Sequence, residues 1–496
     1  MLSAPVKDNQ TTQEPRPGVR LYDFADRAGG VFLLGHVAIA PWLFGATENW
    51  SILLLNLLVY TAGVLMIFKW FFRWRIGALA VEEILGKRDE RLQPGTWVVR
   101  WMAVLTVLVL FYVLISALNA RATYEPAGDS FTYHRFIPWL PFTYDSTLTW
   151  RTFWNYLALA CLFWGLRDWL LHPPRREAQE SEVVLGLPPR FRALFWTITL
   201  SATLLAVEAL FQKLAGTEKL LWIRPMYAGR AQDMFGPFAF RGNAAQYFNL
   251  AWPLILGFWW TERERSRLRK WTSLKVGGAP HTILLLCTIV TAAAPIIASS
   301  AGGTLVTLAI LAFSAFVFVV HRGGTWRTRC TILLVCLAVL ALGGALGWDQ
   351  VAPRLRTMFQ TPYANPNELY ANARQMALDY PLFGIGPGTF RVLYPLYRTD
   401  LSQPWQAFLH DDWLETRVTF GWIGSMLILS LLGLALTRWF LAGGVTSRWE
   451  IIAMLWIAIG GCLLHAKFSF PLQVYSILGL LLTELAVLSS LSRPEN

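Results

Sequence analysis

The sequence predicts an all-α, polytopic membrane protein with about twelve transmembrane helices and a long outer loop that contains short helices. The first observation is composition: 55% of the 496 residues are hydrophobic and 15% are charged, whereas soluble globular proteins carry about 25% charged residues. The second is the recurrence of apolar runs long enough to cross a bilayer. The third is that the basic residues lie in short blocks between those runs. Together these observations exclude a single soluble domain and a disordered chain.

Each apolar run is assigned to one helix, because about 17–25 apolar residues span the hydrocarbon core of a bilayer. The predicted helices lie near residues 28–47, 51–71, 98–119, 149–171, 190–213, 244–260, 281–298, 303–320, 329–347, 416–440, 450–465 and 472–490.

These runs divide the chain into five parts. Residues 1–27 form a cytoplasmic tail, residues 28–347 hold helices one to nine, and residues 348–415 form a long outer loop that caps the helices. Residues 416–490 hold helices ten to twelve, and residues 491–496 form a second cytoplasmic tail. A polar loop as long as 348–415 is usually functional or disordered, and its aromatic content favours an ordered cap.

The net charge of +12 reflects membrane topology. About two thirds of the Lys and Arg fall in alternate segments that include the N-terminal tail, as cytoplasmic loops do under the positive-inside rule. The densest blocks are Arg73–Arg75, Pro174–Arg176 and Glu262–Lys270. Membrane lipids are therefore the expected surroundings, and nucleic acid is not an expected partner.

The strongest polar cluster is Leu409–Arg417, where the long loop meets the tenth helix. A His beside carboxylates at a membrane surface suits general-base chemistry, because the reference pKa of His lies near neutrality. His410 is therefore the candidate catalytic residue. The competing interpretation is a polar helix start, in which Asp411 accepts hydrogen bonds from the first backbone N–H groups.

Arginines on the outer side are candidates for binding an anion. Arg241 follows an aromatic segment and precedes the sixth helix, where guanidinium and helix N–H groups together suit a phosphate; an interfacial arginine that reaches out of the membrane is the alternative. Arg374, Arg391 and Arg398 lie in the long loop, the last two flanking tyrosines. They suit a sugar or diphosphate, or else are solvated loop residues.

Other chemistries have no motif in this sequence. It carries no phosphate-binding P-loop, dinucleotide-binding glycine loop, HExxH or GxSxG motif, so no cofactor is expected. Asp411 and Asp412 are adjacent acids, which is weak support for a divalent metal, and no metal site is predicted.

Three outer segments resemble motifs of the O-antigen ligase/polymerase family, whose polytopic bacterial members handle polyprenyl-diphosphate-linked glycans. Pro381–Phe390 resembles the family's PLxGxGPGxF, and His410–Leu414 with the later Gly421 resembles HNDYL…G. Gly236–Tyr247 resembles GTFxNRNxxAxYL. The likeness covers the chain from about residue 190 onward.

This resemblance implies a GT-C-like glycosyltransferase of the bacterial inner membrane whose active site faces the periplasm. The expected reaction transfers a glycan from undecaprenyl diphosphate to a hydroxyl of lipid A-core or another glycan, without a metal and with inversion. His410 would be the base or would position the acceptor hydroxyl. The substrate-binding residues would be Arg241, Arg374, Arg391, Arg398 and Asp412.

The sequence also departs from the family pattern. Ala301 stands where the family often has an arginine, and Asp411 replaces the Asn of the HND motif. The family also has an arginine about fifteen residues before the position of Pro381. Here that position lies near Pro366 and is not an arginine, and Arg374, two turns later, is a possible substitute. In the motif of the eleventh helix, Ser469 replaces an acid.

Two alternatives to a ligase remain open from the sequence. A polymerase of the same family would use another lipid-linked glycan, or an exopolysaccharide, as its acceptor. A non-enzymatic flippase or envelope-assembly scaffold would fit the loss of family arginines.

Overall fold

The structure is a computed structural model, and it describes most of the chain. The described residues are 17–76, 96–173, 187–226, 233–271, 280–320, 326–360, 366–398, 407–441, 445–446 and 449–492. Most of the predicted N-terminal tail, the basic block Pro174–Arg176 and the last four residues lie outside these ranges.

The described part of the chain is mainly helical. The helices are α1 Pro17–Ile39, α2 Asn49–Ile76, α3 Thr96–Leu118, α4 Ser146–Leu171, α5 Pro189–Leu214, α6 Arg241–Trp271, α7 Pro280–Ile297, α8 Ala301–Val320, α9 Trp326–Gln360, α10 Pro366–Asp379, α11 Phe390–Leu393, α12 Asp412–Leu441, α13 Trp449–His465 and α14 Tyr475–Ser490. Short two-stranded pairs are formed by β1 Ala122–Glu125 with β2 Ser130–Tyr133, β3 Lys219–Leu220 with β4 Arg224–Pro225, and β5 Val445–Thr446 with β6 Leu491–Ser492. Each of the twelve predicted apolar runs overlaps one of these helices.

The structure confirms that the chain has helices able to span a membrane, but it does not confirm the predicted number of spans. Among the described residues, six helices are long and apolar enough to cross a membrane. These segments are Asn49–Arg75, Trp97–Leu118, Pro189–Leu214, Ala301–Val319, Trp326–Thr357 and Asp412–Phe440. Three shorter apolar helices accompany them, at His281–Ile297, Trp449–His465 and Tyr475–Ser490. The count of twelve spans stays a prediction.

Four predicted boundaries are wrong by about two helical turns or more. Helix α1 begins at Pro17 instead of near residue 28, and α6 ends at Trp271 instead of near residue 260. The first helix ends at Ile39 instead of near residue 47, because Pro41 lies within the run and the residue before a proline is disfavoured in helices; a short 3₁₀ turn at Phe44–Ala46 follows. Helix α9 continues to Gln360 instead of ending near residue 347. A helix that leaves the apolar layer keeps its backbone hydrogen bonds, so hydropathy alone does not locate its end. The long loop is correspondingly shorter than predicted.

Helix α6 lies at the centre of the helix packing. It contacts α7, α8, α13 and α5, and Trp252, Phe258 and Trp259 on it are almost fully buried. Outward-facing positions of other helices expose large apolar side chains instead, for example Leu57 on α2 and Phe313 on α8. This pattern is typical of helices whose outer faces contact lipid.

A buried ionic cluster joins four helices at the end of the bundle where α2 and α4 end. Lys69 donates to Asp26 at 2.6 Å and to Asp168 at 2.7 Å. Arg73 pairs with Asp168, and Arg190 pairs with Asp26. We call Asp26, Lys69, Arg73, Asp168 and Arg190 the ionic cluster; it connects α1, α2, α4 and α5.

At the opposite end, the glycine-rich segment of the long loop is fastened to a kink in α12. Gly421 interrupts that helix at φ 62° and ψ −167°, a conformation that is essentially restricted to glycine. Ile385 and Gly386 donate backbone hydrogen bonds to the carbonyls of Val418 and Thr419, at 3.0 and 3.1 Å. A Cβ atom on Gly421 would lie 2.3 Å from the carbonyl oxygen of Leu382. The motif glycines therefore serve close backbone packing.

Replacing Gly421 with alanine is expected to destabilise the protein by about 1–3 kcal/mol, since it combines a strained backbone angle with a backbone clash. Gly433→Ala is the matched control, because a Cβ atom at Gly433 in the same helix meets nothing within 4 Å. The midpoint of thermal unfolding of the purified protein measures both. Equal midpoints for the two variants would contradict the role of Gly421 in packing the glycine-rich segment against α12.

Candidate active site at the start of α6 and α12

The segment that carries His410 is fixed from both sides. Asp411 accepts a hydrogen bond from the backbone N–H of Leu414 at 3.1 Å, which confirms the predicted helix cap. The buried carboxylate of Glu415 accepts from the N–H of Leu409 at 2.7 Å. On the other side, the hydroxyl of Tyr370 donates to the His410 carbonyl at 3.0 Å. His410 itself lies outside the helix, because α12 begins at Asp412.

The imidazole of His410 packs against a stacked pair of aromatic rings. Its ring centroid is 4.9 Å from that of Phe470 and 6.0 Å from that of Phe240, both edge to face. Phe240 and Phe470 stack on each other at 5.2 Å. Burial lowers the pKa of His410, so the ring is neutral near pH 7 and can accept a proton.

Arg241 follows Phe240 directly and is the first residue of α6. It is half-buried and forms an ion pair with Asp233. Burial and, next, the nearby positive charge of Arg354 lower the pKa of Arg241 to about 10, and the guanidinium still stays charged at neutral pH. Phe240, the residue before Arg241, thus contacts His410, although the two segments are far apart in sequence.

Asp412, the first residue of α12, follows His410 by two positions and is 1% exposed. Its backbone N–H donates to the carbonyl of Ala466 at 2.8 Å. Its carboxylate accepts from the backbone N–H of Leu472 at 2.8 Å and from the side chain of Gln473 at 3.3 Å. Asp412 therefore holds the turn that carries Phe470, and these contacts make it a positioning residue for the His410 pocket.

The three loop arginines are placed differently from one another. Arg374 is exposed on α10, one helical turn from the Tyr370 that contacts His410. The charge of Arg391 interacts with those of Asp145 and Arg151 at the beginning of α4. Arg398 lies near Tyr394. The charges around Arg391 place it beside α4.

Sequence reasoning missed two cations at the turn between α7 and α8. Lys213 donates to Ser299 Oγ at 2.9 Å, and Arg354 donates to the carbonyl of Ser299 at 2.8 Å. Both lie close to the ends of apolar runs, where a single cation is typical of a helix that reaches the membrane surface. The one local signal in the sequence is the run of small residues Ser299–Gly303 between two apolar runs.

An apolar cavity of about 430 Å³ lies between α3, α4, α12 and α14. Its walls are almost entirely aliphatic and aromatic, with Phe163 on α4 and Leu481 on α14 as examples. Trp413, Thr416 and Arg417 line one part of it, directly after the His410 segment. The cavity therefore has the size and character of a site for an apolar ligand.

The fold and the site define a multi-pass membrane protein with a His-containing pocket at one end of its helices. Residues 286–429 match a family model described as O-antigen ligase. This match confirms the resemblance to O-antigen ligases over a segment that holds His410, Asp412 and the loop arginines; Arg241 lies outside it. It indicates a glycosyltransferase-like enzyme of lipopolysaccharide synthesis. No curated protein matches the chain.

Proposed function

We propose that the protein transfers a glycan from a polyprenyl-diphosphate carrier to an acceptor hydroxyl, at the periplasmic face of the bacterial inner membrane. In this proposal the twelve apolar helices all span the bilayer, and the His410 pocket opens to the periplasm. The observation that carries it is the contact of His410 with the Phe240–Arg241 segment, at ring centroids 6.0 Å apart. The candidate base thereby contacts the segment that carries a candidate anion ligand.

The proposed reaction is a single displacement at the anomeric carbon. The neutral imidazole of His410 accepts the proton of the acceptor hydroxyl as its oxygen attacks. The new carbon–oxygen bond forms as the bond from the anomeric carbon to the phosphate oxygen breaks, and polyprenyl diphosphate leaves with the electron pair. One displacement inverts the configuration of that carbon.

Positive charge near the diphosphate stabilises the leaving group, whose charge grows in the transition state. Arg241 is suited to this because its guanidinium stays protonated and offers a planar fork of donors, which needs no metal. Arg374, on α10, and Arg391 and Arg398 further along the cap would bind the phosphates or the glycan. Asp412 would act indirectly, through the turn that carries Phe470.

The apolar cavity supports a lipid-linked substrate. It lies among helices that we place in the membrane, and Trp413 and Thr416 on its wall follow His410 within six residues. A polyprenyl chain in this cavity would keep the diphosphate close to the pocket while the apolar tail stays out of water.

Replacing Arg241 with alanine is expected to lower transfer by about 10²-fold to 10³-fold, the cost of removing one donor that stabilises a developing negative charge. Arg241→Lys keeps the charge and loses the fork, so an intermediate rate is expected. The measurement is transfer by the purified protein in lipid nanodiscs, with a lipid-linked oligosaccharide as donor and lipid A-core as acceptor.

Arg224→Ala is the matched control for that experiment. Arg224 forms an exposed ion pair with Glu48, whereas Arg241 pairs with Asp233 beside the site. Wild-type protein that leaves the donor unchanged with every acceptor would refute the enzyme and favour a flippase or scaffold.

In a deletion strain, polymer that accumulates on its carrier supports a ligase, and accumulated single repeat units indicate a polymerase.

A further inference from the structure

Two cations from different helices converge on one turn beside the proposed site. Ser299, between α7 and α8, is 1% exposed and has φ 61°, a left-handed conformation that is uncommon for serine. Lys213 of α5 donates to the Ser299 hydroxyl and to the Ile297 carbonyl, and Arg354 of α9 donates to the Ser299 carbonyl. The turn thus holds an ammonium and a guanidinium in fixed positions.

These contacts leave both cations with unused binding capacity. The partners that hold Lys213 and Arg354 are uncharged hydroxyl and carbonyl oxygens. An ammonium has three N–H donors and a guanidinium has five, so capping the end of α7 does not exhaust either group. The carboxylate of Asp233 is paired with Arg241.

The turn is connected to the His410 pocket by a short path. A Cβ atom on Gly302, in the first turn of α8, would lie 3.4 Å from Nε2 of His465. The neighbouring Ala466 accepts the backbone hydrogen bond of Asp412, which begins the helix after His410. At the start of α6, the positive charge of Arg354 contributes to the lowered pKa of Arg241. We call Lys213, Arg241 and Arg354 the cation cluster.

Three half-buried positive charges in one place repel one another, and this arrangement costs free energy unless an anion offsets it. A diphosphate diester carries two negative charges, which balance three cations and one carboxylate. It also has several acceptor oxygens, and charge-assisted hydrogen bonds to phosphate are among the strongest in proteins.

We propose that Lys213 and Arg354 bind the diphosphate of the carrier-linked donor together with Arg241. This inference rests on the proposed function and names the residues that recognise its leaving group. Neither Lys213 nor Arg354 belongs to the motifs that the sequence shares with the family. They supply positive charge from α5 and α9 at the turn before Ala301, the position where the family often has an arginine.

The test uses the full-length protein in nanodiscs, with farnesyl diphosphate and farnesyl monophosphate as probes. Lys213→Gln and Arg354→Gln are each expected to weaken farnesyl diphosphate binding about 10-fold, as loss of a hydrogen bond to a charged group does. The double variant should lose about 100-fold, with a much smaller loss for the monophosphate. Donor KM should rise in parallel, while acceptor KM stays unchanged.

Controls separate recognition from structural damage. Arg356→Gln removes an exposed arginine two residues along α9 and should bind both probes normally. Lys213→Arg should restore most of the affinity if charge is what matters. Wild-type affinity of the double variant for the diphosphate, or an equal loss for both probes, would overturn the inference.

The inference and the proposed function fail in different ways. Normal diphosphate binding by the double variant, with wild-type transfer intact, removes the inference and leaves the function standing. Binding that depends on the cluster in a protein that transfers no glycan removes the function and leaves a diphosphate site.

Discussion

Replacing His410 with alanine is expected to slow glycan transfer by about 10²-fold to 10⁴-fold, the usual contribution of a positioned general base. The ring is held edge to face against Phe240 and Phe470, and its backbone is fixed by Tyr370. Such fixation keeps the nitrogen in one place relative to the acceptor oxygen. Because burial lowers the pKa of His410, the rate should fall only when the pH drops below the ordinary range of histidine.

The comparison for this variant is His134→Ala. His134 is an exposed histidine that contacts Thr123 in the β1–β2 hairpin, outside the proposed pocket. Product formed from a labelled lipid-linked donor gives the rate, and the thermal midpoint shows whether the pocket still folds. A folded His410→Ala protein with at least a tenth of the wild-type rate would remove His410 from the role of base. His410→Gln, which retains a polar group, then separates positioning from proton transfer.

The fold was predictable wherever hydropathy decides the structure. All twelve apolar runs correspond to helices because a buried or lipid-facing backbone must satisfy its hydrogen bonds internally. The predictions failed at positions where other forces act. Pro41 ends α1 inside an apolar run, and α9 continues into polar sequence as far as Gln360.

The candidate site was predictable in its local part. The cap formed by Asp411 follows from residue type and position at a helix start, and the structure confirms it. The contact of His410 with Phe240 joins residues far apart in the chain, and a single sequence gives no distance between them. Lys213 and Arg354 were missed for the same reason, since only the packing of α5 and α9 against the Ser299 turn brings them together.

The ionic cluster at the other end of the helices leads to the second large prediction, which concerns stability. Replacing Asp168 with asparagine is expected to cost about 3–5 kcal/mol, because removing one partner of a buried ion pair leaves the other charges uncompensated. Asp168 accepts hydrogen bonds from Lys69, Arg73 and the Trp70 indole. After the change, three cations of the cluster face Asp26 alone.

Lys69→Met should be much milder, although Lys69 contacts both acids. Its removal leaves two matched pairs, Arg73 with Asp168 and Arg190 with Asp26. Thermal unfolding of the purified protein gives the order of stability, with Asp129→Asn in an exposed turn as the control.

The double variant Asp168→Asn/Lys69→Met is the decisive measurement. It has one uncompensated positive charge fewer than Asp168→Asn alone, so it should be the more stable of the two, whereas independent contacts would make it less stable. Additive losses would mean that the cluster acts through separate hydrogen bonds. A smaller loss in the double variant would show that charge balance across α1, α2, α4 and α5 stabilises this end of the bundle.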